Sequence, residues 1–96
     1  MKIDFQKNGG ELIVAIDGRL DTLTAPELDD FLKGKYEGVT ALTFDCEKLV
    51  YVSSAGLRVL LAAYKQMGGA MKLKGVSELV MEVLEMTGFA SMWEIE

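Results

Sequence analysis

The stretch YVSSAGLRVLL, residues 51–61, decides the fold. An apolar segment runs into Ser53 and Ser54, passes Ala55 and Gly56, and continues as a run of helix-forming residues. Across AGLRVLLAAYKQM (55–67), Leu57, Leu60, Leu61 and Tyr64 recur at the spacing of one helical face. Ser54 is therefore expected at the N-cap or in the first turn of a helix. A serine there has two readings. It can simply cap, accepting a free backbone N–H. It can instead be acted on from outside, because the chain contains no histidine to serve as the base a serine nucleophile ordinarily needs.

Working towards the N-terminus, EKLVYVSS (47–54) reads as a loop and ALTFDC (41–46) as an apolar strand. Before them, Thr24 and Glu27 have the spacing of a capping box, and Pro26 falls in a first helical turn, where a missing N–H costs nothing. Leu28, Phe31 and Leu32 form the stripe of that helix, which stops near Gly34 or Gly38. KIDF and ELIVAIDG are strands joined at Asn8-Gly9-Gly10, a hairpin signal. In the second, Leu12, Val14 and Ile16 face one way while Ile13 and Ala15 face the other, so both faces are apolar and the strand is an inner one.

Towards the C-terminus, Gly68-Gly69 ends the central helix and AMKLK (70–74) is an alternating strand. Ser77 caps a last helix with a stripe of Leu79, Val80, Val83 and Leu84, and Gly88 takes its C-terminal cap position. SMWEIE (91–96) is a short closing strand with Trp93 and Ile95 facing the same way. The order β-β-α-β-α-β-α-β predicts a single α/β domain over 1–96, a single-layer, mixed and mostly parallel sheet with covering helices.

Composition narrows the function. Fifteen acids against ten Lys and Arg give a net charge of −5, which argues against direct nucleic-acid binding and against an anionic membrane surface. The start MKIDFQKNGG has neither the apolar core nor the basic flank of a leader, and the expected location is cytoplasmic. The one cysteine, Cys46, sits in an apolar strand and reads as a small buried hydrophobe. No Walker loop, dinucleotide fingerprint, zinc ligand set or G-x-S-x-G elbow is present, so no cofactor, metal, small-molecule substrate or catalytic residue is expected. The partners are expected to be proteins.

In a parallel sheet, function collects beyond the C-terminal strand ends. The loops 17–24 and 47–54 leave those ends, so Asp21, Thr22, Ser53 and Ser54 are expected on one rim. A phosphate on Ser54 would meet unpaired helix N–H groups and the positive end of the dipole, with Arg58 one turn away. Ala55 and Gly56 keep the approach to the hydroxyl small.

Three segments resemble the STAS domain, and within it the bacterial anti-sigma factor antagonists. GRLDTLTAPEL (18–28) resembles the family's G-x-L-D-x-x-x-A-x-x-L; FDCEKLVYVSSAGLRVLL (44–61) its D-x-x-x-x-x-[YF]-[IVM]-[DS]-S-[STA]-G-L-x-x-L; VLEMTGFASMWEI (83–95) its L-x-x-x-G-[LF]-x-x-x-[FW]-x-I. The resemblance implies a non-enzymatic, partner-switching regulator. The serine two places before the motif glycine, here Ser54 before Gly56, would be the phosphoacceptor of an anti-sigma serine kinase with the histidine-kinase-like ATPase fold. A PP2C-type phosphatase would reset it. Asp21, Thr22, Ser53, Ala55, Gly56 and Arg58 would map to the partner-binding rim. Many members carry Asp before the acceptor, where this chain has Ser53. The alternative is a STAS module that scaffolds a signalling or transport complex, or holds a nucleotide, without serine phosphorylation.

Overall fold

A computed structural model describes all residues, 1–96. The chain forms β1 (Lys2–Asn8), β2 (Glu11–Leu20), α1 (Ala25–Lys33), β3 (Ala41–Asp45), β4 (Leu49–Val52), α2 (Ser54–Gln66), β5 (Met71–Lys74), α3 (Glu78–Thr87), a 3-10 turn (Phe89–Ser91) and β6 (Glu94–Ile95). The hairpin turns through Gly9 at φ +61°, a conformation that favours glycine, and pairs β1 with β2 from Lys2↔Asp17 to Asn8↔Glu11. Every other pairing is parallel, in the order β1-β2-β3-β5-β6, with β4 on β2. The expected α/β architecture, a mixed and mostly parallel sheet with helices, is therefore found.

One sheet face is the core. Leu12, Val14 and Ile16 of β2 are buried, as are Leu42 and Phe44 of β3 and Met71 and Leu73 of β5. The helices cover that face with Ala25, Leu28 and Leu32 from α1, Leu57, Leu60 and Ala63 from α2, and Val80 and Leu84 from α3. Together they form one contiguous cluster of 20 buried apolar residues, Cys46 among them, so the helices are held by one shared interior. α3 is bounded as its residues demand: the Ser77 hydroxyl accepts from the Val80 N–H, and Gly88 at φ +86° closes the helix. No helix is long and apolar enough to cross a membrane.

The structure differs from expectation in five places. The segment 17–24 is loop only from Asp21 onward, because β2 runs on to Leu20 and pairs there with β4. The segment 47–54 is not all loop, because β4 forms within it and pairs with Gly18–Leu20 after an irregularity between Gly18 and Arg19. The order is thus β-β-α-β-β-α-β-α-β, one strand more than expected. No capping box forms at α1: Thr24 makes no side-chain cap because its hydroxyl is held from the preceding loop. Leu79 lies outside the core, 54% exposed, and Val80 and Leu84 are the buried pair. The closing strand shrinks to Glu94–Ile95, since Phe89–Ser91 turn tightly and stack Phe89 on the buried Trp93 with ring centroids 4.4 Å apart.

Candidate functional site

β2 is long enough to serve two neighbours in succession. Its first half, Glu11–Ala15, pairs with β3, and Gly18, Arg19 and Leu20 pair with Leu49, Tyr51 and Val52 of β4. That register carries the ends of β2 and β4 to one place, and the Ser53 N–H continues the ladder onto the Leu20 carbonyl at 2.9 Å. The loop Asp21–Thr24 and the start of α2 therefore share the rim expected from the sequence.

The two serines are distinct. Ser53 is the N-cap, extended at φ −98°, ψ 176°, and its Oγ accepts from the Gly56 N–H at 3.4 Å. Ser54 is the first residue of α2, exposed to solvent and free of that cap. Helix first-turn N–H groups and the positive dipole end lie beneath it. Ala55 is half-buried, and Arg58 is exposed one turn further along.

Gly56 is buried where no side chain fits. A Cβ there would lie 2.7 Å from Leu20 Cγ, 2.8 Å from the Leu20 carbonyl oxygen and 3.0 Å from Val52 Cγ2. The first turn of α2 thus rests directly on the strand ends that form the rim.

Asp21 organises the other side. Its Oδ1 accepts from the N–H groups of Leu23 at 3.0 Å and Thr24 at 3.2 Å. The Thr24 hydroxyl accepts from the Asp21 N–H at 2.8 Å and donates to the Arg19 carbonyl at 2.8 Å. Partial desolvation pushes the Asp21 carboxyl up, but the Thr24 and Leu23 N–H groups, the Thr24 hydroxyl and the Arg19 charge outweigh it and hold the carboxyl below its ordinary range. Thr22 and Leu23 project outward, Leu23 being 88% exposed.

Arg19, Tyr51 and Leu23 escaped the sequence reading. The Arg19 guanidinium lies 4.3 Å over the Tyr51 ring, and its Nε is 3.7 Å from Asp21 Oδ2. Only the β2–β4 register brings Arg19 opposite Tyr51, and a segment read as loop offers no register. The concave features of the molecule lie elsewhere. Cavities of 270, 220 and 310 Å³ are lined by other residues, none of them Asp21, Thr22, Ser53, Ser54 or Arg58. The rim is an open surface whose chemistry is a free hydroxyl, a fixed carboxylate and an exposed apolar side chain. No three Cys, Asp or Glu residues are grouped to hold a metal ion.

The profile of the STAS domain matches residues 2–96. The chain belongs to the STAS domain family. This STAS domain is 33% identical over 99 aligned positions to BtrV of Bordetella bronchiseptica, which is named as an anti-sigma factor antagonist; the match covers 99% of this chain and 85% of BtrV. It is 28% identical over 98 positions to the anti-sigma-B factor antagonist of Bacillus subtilis, covering 99% of this chain and 90% of that one. Among solved structures, the Bacillus cell fate determinant SpoIIAA in its phosphorylated form superposes with a TM-score of 0.76 at 15% identity, over 99% of this STAS domain and 91% of that chain. Unphosphorylated SpoIIAA superposes with a TM-score of 0.78 at 14% identity, over 99% and 87%. At such identities these two bear on the fold.

Proposed function

We propose that this STAS domain is a partner-switching regulator that antagonises an anti-sigma factor and is controlled at Ser54. The unmodified rim binds an anti-sigma serine kinase and so releases the sigma factor. Transfer of a phosphoryl group from ATP to Ser54 ends that binding, and a PP2C-type phosphatase restores it by hydrolysis. The observation that carries this reading is the division of labour between the serines: Ser53 is committed to the cap, while Ser54 stands exposed on the same turn.

Charge supports the direction of the switch. A phosphoryl group adds about −1.5 to −2 charges at neutral pH, on a chain already at −5. The modified side chain is stabilised on this chain by the helix N-terminus and Arg58, while its charge disfavours burial in an interface. The names of BtrV and the Bacillus subtilis relative point the same way.

Phosphopeptide mapping after incubation with ATP and extract of the native cells tests the proposal. Phosphate is expected on Ser54 and absent from Ser54→Ala, and Ser54→Ala is expected to hold the kinase where Ser54→Asp does not. Equal binding by both variants, or no phosphate while a control substrate is labelled, would overturn it in favour of a STAS binding module without covalent control.

A further inference from the structure

α3 is the one helix of the chain with no basic residue. Its charges are Glu78, Glu82 and Glu85, and none joins the ion pairs of the molecule, which are Arg19–Asp21, Lys33–Asp29 and Lys72–Glu96. Glu78 in the first turn suits the helix dipole, but Glu85 stands near the negative end, where an acid opposes it. Helix stability therefore does not explain that residue.

The apolar residues beside these acids are equally unspent. Leu79 is 54% and Met86 is 81% exposed, and neither belongs to the core cluster or to the partly buried residues packed against it. They lie one heptad apart, and Val83, half-buried between them, completes a 4-then-3 spacing. That is the spacing of a coiled-coil seam, which two helices bury by packing side by side.

The charges select the occupant. Two copies of α3 packed on one another would bring six carboxylates together in a pair of chains that each carry −5, so self-association is disfavoured. We propose that α3 is a docking face for a basic amphipathic helix of a partner protein. Leu79, Val83 and Met86 form the apolar seam, and Glu78, Glu82 and Glu85 receive the lysines or arginines that flank the partner's stripe. This proposal does not rest on Ser54.

The test is a titration of the isotope-labelled full chain, followed by amide shifts, with three synthetic helical peptides. One carries a leucine seam flanked by lysine, the second the same seam flanked by glutamate, and the third the first composition scrambled to destroy the stripe. Binding is expected from the first peptide alone, with shifts centred on 78–87 and unchanged in Ser54→Ala. The exposed double variant Leu79→Ser/Met86→Ser is expected to weaken it about tenfold or more. Glu82→Lys/Glu85→Lys is expected to turn the preference to the glutamate peptide. Equal binding of the scrambled peptide would reduce the effect to net charge, and shifts centred elsewhere would displace the site. A dimer in sedimentation that Leu79→Ser/Met86→Ser dissolves would make a second copy the occupant. Each of these three results overturns the proposal.

Discussion

Replacing Gly56 with alanine sets two effects against each other. In an open helix, alanine gains about 0.5–1 kcal/mol over glycine by reducing the freedom of the unfolded chain. At this position the new methyl meets three atoms at once, Leu20 Cγ at 2.7 Å, the Leu20 carbonyl oxygen at 2.8 Å and Val52 Cγ2 at 3.0 Å. Unstrained carbon contacts lie at roughly 3.5–4.0 Å, so the helix or the strands must retreat by the better part of an ångström. Leu20 has nowhere to go, since it is fully buried and its carbonyl already accepts from the Ser53 N–H. Overpacking of this kind costs about 1–3 kcal/mol, so crowding wins. Taken at the middle of both ranges, the net loss is about 1 kcal/mol, which corresponds, for a domain of this size, to a fall in Tm of roughly 4–8 °C. Calorimetry of Gly56→Ala against the parent measures it, with amide spectra expected to change at residues 20–24 and 52–58. A Tm equal to or above the parent's would refute the claim that glycine is required here for space.

Ser53→Ala is expected to remove the cap and cost about 1 kcal/mol of stability, while Ser54→Ala leaves Tm nearly unchanged; thermal melts of the pair check this. Asp21→Asn is expected to be less stable than the parent at neutral pH. Because the native carboxyl is held below its ordinary value, its contribution is full above the unfolded value of about 3.9 and fades as pH falls through the native one. The urea midpoints of the two proteins should therefore converge in strong acid. Cys46 is 1% exposed, and burial first, then the Asp45 charge, push its thiol up to about 12 from the ordinary 9.0. Thiol reagents near neutral pH should label it only at the rate of unfolding. Its contribution to stability should be intact below the unfolded value and decline as pH rises from there towards the native one, a decline that Cys46→Ala should lack.

Elements whose local chemistry and tertiary contacts agree were legible from residues alone. The hairpin at Gly9-Gly10, the Ser77 cap, the Gly88 stop and the alternation of Met71 and Leu73 against Lys72 and Lys74 all stand as read. The rim's residues were legible from the segments that lead into the helices, although the β2–β4 pairing that joins them was not. β4 was not, since four residues with an exposed Val50 carry little period of their own and become a strand only by joining β2 beyond Gly18. Thr24 failed as a cap because Asp21 and Arg19, earlier in the chain, compete for its hydroxyl. Leu79 misled because α3 presents two apolar stripes side by side, and only one of them finds an interior.

β2 has a consequence for how the rim communicates. Three strands take their hydrogen bonds from this one segment, and the Ser53 amide extends the same ladder. Loosening the rim therefore means breaking the strand that also holds the hairpin and the centre of the sheet, so rim and interior open as one cooperative unit. Hydrogen exchange at Leu20 and Ser53 should run at the rate of global opening, and the rim can act as a stamp but not as a lever. A group attached to Ser54 is then expected to be read in place, by a surface that meets it, because the backbone beneath is tied into the ladder of the central sheet.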